Sequence, residues 1–333
     1  MAKDHHGREI DYLRISVTDR CNLRCRYCMP EEGIKLEDHA SIMSLEEIER
    51  LVYIASQRGI NRIRLTGGEP LVRLGIVDLI ASLSKMEGID SVTLTTNGIL
   101  LPKMATKLKD AGLSRVNISL DTLDAEQFKF ITRCGDIKGT LKGIEAALET
   151  GFNPVKVNVV AIRSLNQDFL AFAKLTVDKP LHIRFIEYMP MGDSHRSGAW
   201  SKEESIPSDE LIERIDSLTS EAGLGNLMPL EKGKQVQGWG PARYFELPNA
   251  QGTIGFISPL SRHFCGECNR LRVTANGRIR PCLFSDEEYH ILETLRNNDV
   301  EAVNEVFDKA LLSKPDEHHH RMGTSRAMSQ IGG

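Results

Sequence analysis

At 333 residues, with 41% apolar and 26% charged side chains, the chain has the size and composition of a globular α/β protein with a substantial core, either one large barrel with an appendage or two domains. A formal net charge of −4 gives no global reason to expect nucleic-acid binding, so any anion site is local. No apolar run reaches the ~18 residues that a membrane span needs, and residues 1–9 lack the apolar core of a secretory signal; a cytoplasmic protein that binds neither membrane nor nucleic acid is expected.

Residues 12–17 read as a strand, and the loop after it holds Cys21, Cys25 and Cys28 in a C-x3-C-x2-C pattern. Strands and helices then alternate. The helix predicted over 44–58 carries Leu45, Ile48, Leu51, Val52 and Ala55 at helical spacing, with Ser44 and Glu47 as a capping box. Strands over 60–65, 91–96, 115–120, 154–162 and 182–187 are interleaved with helices over 74–86, 101–111, 124–132 with 139–150, 167–176 and 208–218. Six β/α units in series imply a parallel sheet with helices outside. Six fall short of a closed barrel, so an open, partial (β/α)6 barrel is expected. Beyond residue 192 the rhythm breaks. The Gly- and Pro-rich stretch 223–255, with short segments at 242–247 and 253–257, belongs to a smaller C-terminal α+β region covering the barrel mouth. The expected division is 1–218 for the barrel and 219–333 for this subdomain.

Of seven cysteines, three lie in the first loop, three more are Cys265, Cys268 and Cys282, and Cys134 stands apart. Two triplets far apart in a chain without secretory character read as two metal sites rather than a disulfide framework. The first has no further Cys or His immediately downstream to complete a zinc site. Three thiolates on a four-iron, four-sulfur cube would leave one iron open to a small molecule, whereas electron-transfer clusters are closed by cysteine throughout. An incomplete zinc site and a transient disulfide are the alternatives.

Polar signals gather at the C-terminal ends of the predicted strands, where barrel chemistry sits. They are Thr66-Gly67-Gly68-Glu69-Pro70, Thr95-Thr96-Asn97-Gly98, Ser119-Leu120-Asp121, Lys156 with Asn158, and Glu187-Tyr188-Met189-Pro190-Met191-Gly192. Paired glycines let a backbone approach a ligand and expose its carbonyls, and Pro70 stiffens the exit. Together with the C-x3-C-x2-C loop and the aromatic Tyr27 before its last cysteine, these residues resemble the radical S-adenosylmethionine superfamily over roughly the first 190 residues. The resemblance implies that Cys21, Cys25 and Cys28 hold a [4Fe-4S] cluster whose open iron binds S-adenosylmethionine, and that one electron then cleaves the sulfonium to a 5′-deoxyadenosyl radical. It also implies that Tyr27, Gly68, Ser119 and Met189 contact that cofactor. On position alone Met189 reads as core filler.

The second triplet is Cys265-Gly266-Glu267-Cys268, with Cys282 following after thirteen residues. A zinc ribbon with His263 as an added ligand is one reading of it. Between the cysteines runs Asn269-Arg270-Leu271-Arg272; on a strand Arg270 and Arg272 share a face and would present two guanidiniums to an oligophosphate. The block 265–272 with Cys282 at that spacing is similar to the GTP 3′,8-cyclases of molybdenum cofactor biosynthesis, and the resemblance then spans essentially the whole chain. It implies a second [4Fe-4S] cluster on Cys265, Cys268 and Cys282 whose open iron receives the guanine of GTP. Arg14, Arg64, Thr95, Lys156, Arg270 and Arg272 become substrate contacts, and Cys21, Cys25, Cys28, Arg270 and Arg272 the catalytic set. The implied reaction removes hydrogen from the ribose C3′ and joins C3′ to guanine C8, giving 3′,8-cyclo-7,8-dihydro-GTP. Implied partners are an electron donor such as a flavodoxin or ferredoxin, the next-step cyclic pyranopterin monophosphate synthase, and a second copy in a homodimer.

The ending Met328-Ser329-Gln330-Ile331-Gly332-Gly333 also matches that family's Gly-Gly tail, which is implied to reach the active site, although a frayed end is the ordinary reading. His318-His319-His320 reads as a polar loop, and no Gly-Lys-Ser/Thr phosphate loop is present. Two other functions fit parts of the pattern. A radical enzyme acting on a peptide would use the second cluster as an electron relay with a fourth protein ligand. A metal-stabilised nucleotide-binding module would have no use for the barrel-end motifs.

Overall fold

A computed structural model of the chain describes residues 1–191, 200–231, 234, 236–318, 324 and 326–332. The predicted alternation is present: β1 (Tyr12–Ser16), α1 (Leu45–Gln57), β2 (Arg62–Thr66), α2 (Ile76–Lys85), β3 (Ser91–Thr96), α3 (Leu101–Asp110), β4 (Arg115–Ser119), α4 (Ala125–Thr132), α5 (Ile137–Glu149), β5 (Val155–Ala161), α6 (Phe169–Asp178), β6 (Leu181–Glu187) and α7 (Ser208–Glu221). The C-terminal part adds β7 (Met228–Pro229), β8 (Arg243–Glu246), β9 (Thr253–Ile257), β10 (Arg270–Val273), β11 (Arg278–Arg280), β12 (Tyr289–His290), α8 (Leu292–Arg296) and α9 (Val300–Leu312). At the start of α1, the Ser44 side chain accepts from the Glu47 N–H and the Glu47 carboxylate from the Ser44 N–H, the reciprocal cap read from the sequence. The helix predicted from 74 begins at Ile76 because Gly75, at φ 78°, turns the chain just before it. The one predicted from 139 begins at Ile137, where Asp136 accepts from the Lys138 N–H.

The strands place apolar residues on one face and polar ones on the other. Leu13 and Ile15 of β1, Ile63 and Leu65 of β2, and Val116 and Ile118 of β4 enter the hydrophobic core. Their neighbours Tyr12, Arg14, Arg64 and Asn117 face the barrel lumen, as a two-residue side-chain period requires. A parallel strand covered on both sides is ordinarily apolar throughout. The polar lumen is thus the departure that sets up the site.

The twelve strands of the described residues belong to a single sheet, in the order β12-β11-β10-β1-β2-β3-β4-β5-β6-β9-β8-β7. β1 to β6 form the expected open arc. The C-terminal region does more than cover its mouth, because it also extends both edges. β10 pairs parallel with β1, setting Arg14 opposite Arg272, and β9 pairs parallel with β6, setting Arg184 opposite Gly255. The unpaired N–H and C=O groups of the arc's two edges are thereby satisfied from within the chain. Among the described residues no helix is long and apolar enough to cross a membrane.

Candidate active site

The cysteine loop leaves β1 at the C-terminal end of the barrel and is held on two sides. The Arg24 and Arg26 N–H groups donate to the Thr132 and Ile131 carbonyls at the end of α4 (3.1 and 2.9 Å). Opposite them, the Gly68 N–H donates to the Thr18 carbonyl and the Glu69 N–H to the Arg20 carbonyl, both at 2.8 Å. A Cβ at Gly68 would lie 2.4 Å from the Arg20 carbonyl oxygen, and one at Gly67, where φ is 151°, 2.5 Å from that of Thr18. Contact with the cysteine loop therefore demands both glycines, whatever their own carbonyls hold. Glu69, 1% exposed, accepts from Thr96 Oγ1 and the Asn97 N–H (2.7 Å each), tying the end of β2 to that of β3. Burial pushes its pKa up to about 7. Tyr27 donates its hydroxyl to Asp121 Oδ2 (2.7 Å) just beyond β4, and burial raises Asp121 to about 6.

All seven cysteines are free. Burial pushes the thiols of Cys21 and Cys28 up to about 11 and 12, and that of Cys25 well above its ordinary range; neighbouring thiolates of the set add to the rise at Cys25 and Cys28, and Glu69 to that at Cys21. Among the described residues no three His, Cys, Asp or Glu side chains converge as a single metal ion requires. Cys25 and Cys28 each lie close enough to Cys21 for its charge to raise their thiols. Soft thiolates that need cations to become charged fit an iron–sulfur cluster.

Inside the barrel a cavity of about 290 Å³ is walled by Arg14, Arg64, Arg115, Lys156, Arg184, Arg270 and Arg272, with Asp121 the one carboxylate among the described lining residues. Arg64 donates to the Tyr12 hydroxyl and to Thr95 Oγ1 (3.3 Å), and Arg184 to Asn158 Oδ1 (2.6 Å). Burial, then the neighbouring Arg272, holds Arg14 well below its ordinary range. Arg272 is brought down to about 10 by burial and Arg270. Burial, with Arg184, Arg115 and Arg64 nearby, lowers Lys156 to about 6. The floor is closed by a loop from the Gly-rich region. The Gln237 carbonyl accepts from Lys156 Nζ (2.5 Å), and the Trp239 ring packs under the Arg115 and Arg62 guanidiniums, 4.1 and 4.6 Å from the ring centre.

The second triplet forms the opposite wall. Cys265 and Cys268 flank one short turn, closed by a Cys268 N–H to Cys265 carbonyl bond (3.1 Å), and Cys282 follows β11. Burial raises the Cys268 thiol, but the Lys314 ammonium and Arg270 outweigh it and bring it down to about 7. His263, the alternative zinc ligand, has its Nε2 3.7 Å from Glu317 and its ring against His318.

The tail reaches between the two triplets. Ile331 is 1% exposed and packs with Met191 and Phe284, touching a shell that includes Met189 and Cys282. The Gly332 carbonyl accepts from Arg14 (3.2 Å) and Arg272 (3.1 Å). Gly332 has φ 71°, and a Cβ there would meet Thr66 Oγ1 at 2.5 Å. The tail is anchored by Glu288, whose carboxylate takes the guanidiniums of Arg326 (2.6 Å), Arg278 (3.2 Å) and the fully buried Arg280.

Of the residues singled out in the sequence, Arg14, Arg64, Thr95, Lys156, Arg270 and Arg272 line one cavity. Tyr27, Ser119 and Met189 line it too, as do Cys265, Cys268 and Cys282. Cys21, Cys25 and Cys28, on the loop after β1, and Gly68, in the turn after β2 that packs against that loop, are not in its wall. His318 departs from the polar loop expected: it is buried, its Nε2 3.0 Å from the Pro259 carbonyl and its ring 4.9 Å from Phe284. Gly192, His319, His320 and Gly333 lie outside the described residues. Arg115, Asn117 and Arg184 were missed, although strand parity carried the signal, since Arg115 and Asn117 share a face with Ser119. Trp239 had no local signal.

This barrel, with an open-sided sheet and a three-cysteine loop after its first strand, is the arrangement of radical S-adenosylmethionine proteins. The Radical SAM superfamily model matches residues 15–176, and the Molybdenum Cofactor Synthesis C model matches 181–320. Among solved structures, the chain is similar to Streptococcus suis SuiB bound to S-adenosylmethionine (TM-score 0.62, 15% identity), covering 88% of this chain and 65% of that one. It is also similar to anSMEcpe with bound AdoMet (TM-score 0.56, 16% identity), covering 93% and 82%. At those identities the likeness shows the fold. Curated relatives are far nearer: the GTP 3′,8-cyclase of Pelotomaculum thermopropionicum is 49% identical over 335 residues, covering 99% of this chain and 100% of its own. That of Heliobacterium modesticaldum is 50% identical over 338 residues, covering 99% of each. The chain belongs to the GTP 3′,8-cyclase family of the radical S-adenosylmethionine superfamily.

Proposed function

We propose that the protein binds GTP in the cationic lumen and converts it to 3′,8-cyclo-7,8-dihydro-GTP, the first step of molybdenum cofactor biosynthesis. The observation that carries this reading is the wall of six arginines and two lysines with a single carboxylate among the described lining residues; burial and mutual repulsion lower Arg14, Arg115, Lys156, Arg184 and Arg272, a setting that calls for a polyanion. Arginine forks match phosphate oxygens in pairs, and a triphosphate restores the charged form of Lys156. Asn117 and Thr95 add neutral donors at mid-depth.

When loaded, the first cluster and S-adenosylmethionine supply one-electron chemistry and a 5′-deoxyadenosyl radical at the barrel mouth. Cys21, Cys25 and Cys28 would hold that cluster, and Tyr27, Gly68, Ser119 and Met189 its cofactor. Cys265, Cys268 and Cys282 would hold a second [4Fe-4S] cluster facing the guanine, with Cys134 beside the other loop, where its thiol points to the Asn22 carbonyl (3.8 Å). The arginines fix the nucleotide between the two sites, a proximity effect that can reach about 7–11 kcal/mol. With the cofactor loaded, the hydrogen lost from ribose C3′ would pass to the deoxyadenosyl carbon and C3′ would join guanine C8; closing the dihydro product would then consume one further electron, supplied by the reducing system, and one proton.

The division at residues 218 and 219, a flavodoxin- or ferredoxin-type donor, cyclic pyranopterin monophosphate synthase as consumer of the product, a homodimer and a cytoplasmic location belong to the same reading. Anaerobic protein incubated with dithionite, S-adenosylmethionine and GTP should yield 5′-deoxyadenosine and cyclised product together. Deuterium at the ribose C3′ should appear in the 5′-deoxyadenosine. Cleavage of S-adenosylmethionine with no GTP-derived product would refute the substrate assignment.

A further inference from the structure

We propose that Lys314 is the positioning residue of the second cysteine triplet, locking its two ligand-bearing segments together and supplying the fixed positive charge beside them; this rests on the reading that the triplet holds an iron–sulfur cluster. Lys314 lies two residues beyond α9 and is 3% exposed. An ammonium has three N–H donors, and Nζ has three acceptors: Cys268 Sγ at 3.4 Å, the Arg270 carbonyl at 2.8 Å and the Pro281 carbonyl at 2.9 Å. The partners are not scattered. Arg270 opens β10 two residues after Cys268, and Pro281 immediately precedes Cys282, so one side chain spans the gap between the segments bearing Cys268 and Cys282.

Charge gives the second half of the inference. Burying an ammonium is costly unless it is paired, and among the described residues no carboxylate lies within ion-pair distance of Lys314. Its near neighbours in charge are Arg270, another cation, and the cysteines. The negative partner that justifies a buried lysine here is the thiolate set and what it holds. Lys314 also lines both the substrate cavity and an outer pocket, with Cys282, Phe284 and His318 common to the two, so it stands in the partition between lumen and surface. Outer residues that orient metal ligands and donate to their sulfurs set affinity and reduction potential.

The test uses the full chain carrying Cys21→Ser, Cys25→Ser and Cys28→Ser, in which iron can load at the second triplet alone. The midpoint potential of that cluster is titrated with Lys314 intact, with Lys314→Gln and with Lys314→Arg. A neighbouring cation favours the more negative, reduced cluster. Glutamine is therefore expected to lower the potential by about 59 mV or more, at least tenfold in a one-electron equilibrium, and arginine to hold it near the starting value. A glutamine variant with full iron and an unchanged potential overturns the proposal. No iron in the Lys314 background overturns instead the two-cluster reading beneath it. Should glutamine load no iron, amide hydrogen exchange in the iron-free chain reads positioning directly. Faster exchange confined to residues 265–283 supports the lock, and exchange identical to the parent overturns it.

Discussion

Lys156 offers the sharpest test of the cationic lumen. The side chain is 5% exposed, and its fall from 10.5 to about 6 corresponds, at 1.36 kcal/mol per pKa unit, to ~6 kcal/mol against the charged form. At pH 7 the unfolded chain holds this proton and the empty folded protein largely does not, so folding carries a penalty of ~5 kcal/mol from this one group. Lys156→Met keeps the stem and removes the charge. It forfeits the bond to the Gln237 carbonyl, about 1 kcal/mol. The substrate-free variant should therefore be more stable than wild type at pH 7 by roughly 3–4 kcal/mol on this linkage arithmetic. Because the folded pKa is depressed, the gain should be largest below about pH 6 and fade as pH rises toward 10.5. Denaturant unfolding of the iron-free proteins from pH 6 to 9 measures it. GTP binding should show the reverse order: wild type binds more tightly and takes up close to one proton near pH 7.5, seen by calorimetry in buffers of different ionisation enthalpy, whereas the methionine variant binds weakly without that uptake. A variant less stable than wild type throughout, or one with the same proton uptake, would show that Lys156 is comfortable in the empty lumen and that the polyanion argument fails there.

Gly68→Ala should displace the cysteine loop, since its methyl would overlap the Arg20 carbonyl; iron analysis should find the first site largely empty, and the unfolding free energy should fall by about 1–3 kcal/mol. Cys282→Ser should leave S-adenosylmethionine cleavage measurable while abolishing cyclised product, checked by chromatography of 5′-deoxyadenosine and the cyclised nucleotide in one reaction. Glu288→Gln leaves Arg280 buried against a neutral partner, a loss of about 3–5 kcal/mol. It should also free Arg326, so proteolysis near residue 326 should accelerate and product per cleaved S-adenosylmethionine should fall. Trp239→Ala removes two cation–π contacts, about 1–2 kcal/mol together, and should raise the KM for GTP several-fold; an unchanged KM would mean that the floor does not shape the site.

The barrel was legible because its signals are local. Helical spacing behind Ser44, glycine turns after strands and the covalent spacing of Cys21, Cys25 and Cys28 each survive in a single stretch of chain. Lumen residues were half legible: strand-end position and the family resemblance singled out Ser119 and Lys156, whereas a two-residue parity applied along the strands would have added Arg115, Asn117 and Arg184. What the sequence hid depends on distant segments meeting. Nothing near residue 239 says that its indole lies under two arginines from β2 and β4, and nothing near residue 314 says that its ammonium bridges Arg270 and Pro281. Gly67 and Gly68 were legible as a tight turn, but the reason for them, the carbonyls of Thr18 and Arg20, belongs to another loop. His318 misled because a run of histidines has polar composition, while its burial is decided by Phe284 and Pro259.

The parallel pairing of β1 with β10 has a consequence for how the enzyme comes into being. Strands emerge from the ribosome in the order β1 to β6, yet the outer edge of β1 stays bare until residues 270–273 arrive. Through most of synthesis the nascent chain carries an open strand edge, a template for pairing with the wrong partner, and a cysteine loop with no nucleotide wall facing it. Such a long-range closure is slow to nucleate. It also means that a chain cut short anywhere before β10 lacks Arg270, Arg272 and the tail together, so the radical-generating loop and the pocket that would direct it are completed by the same late event.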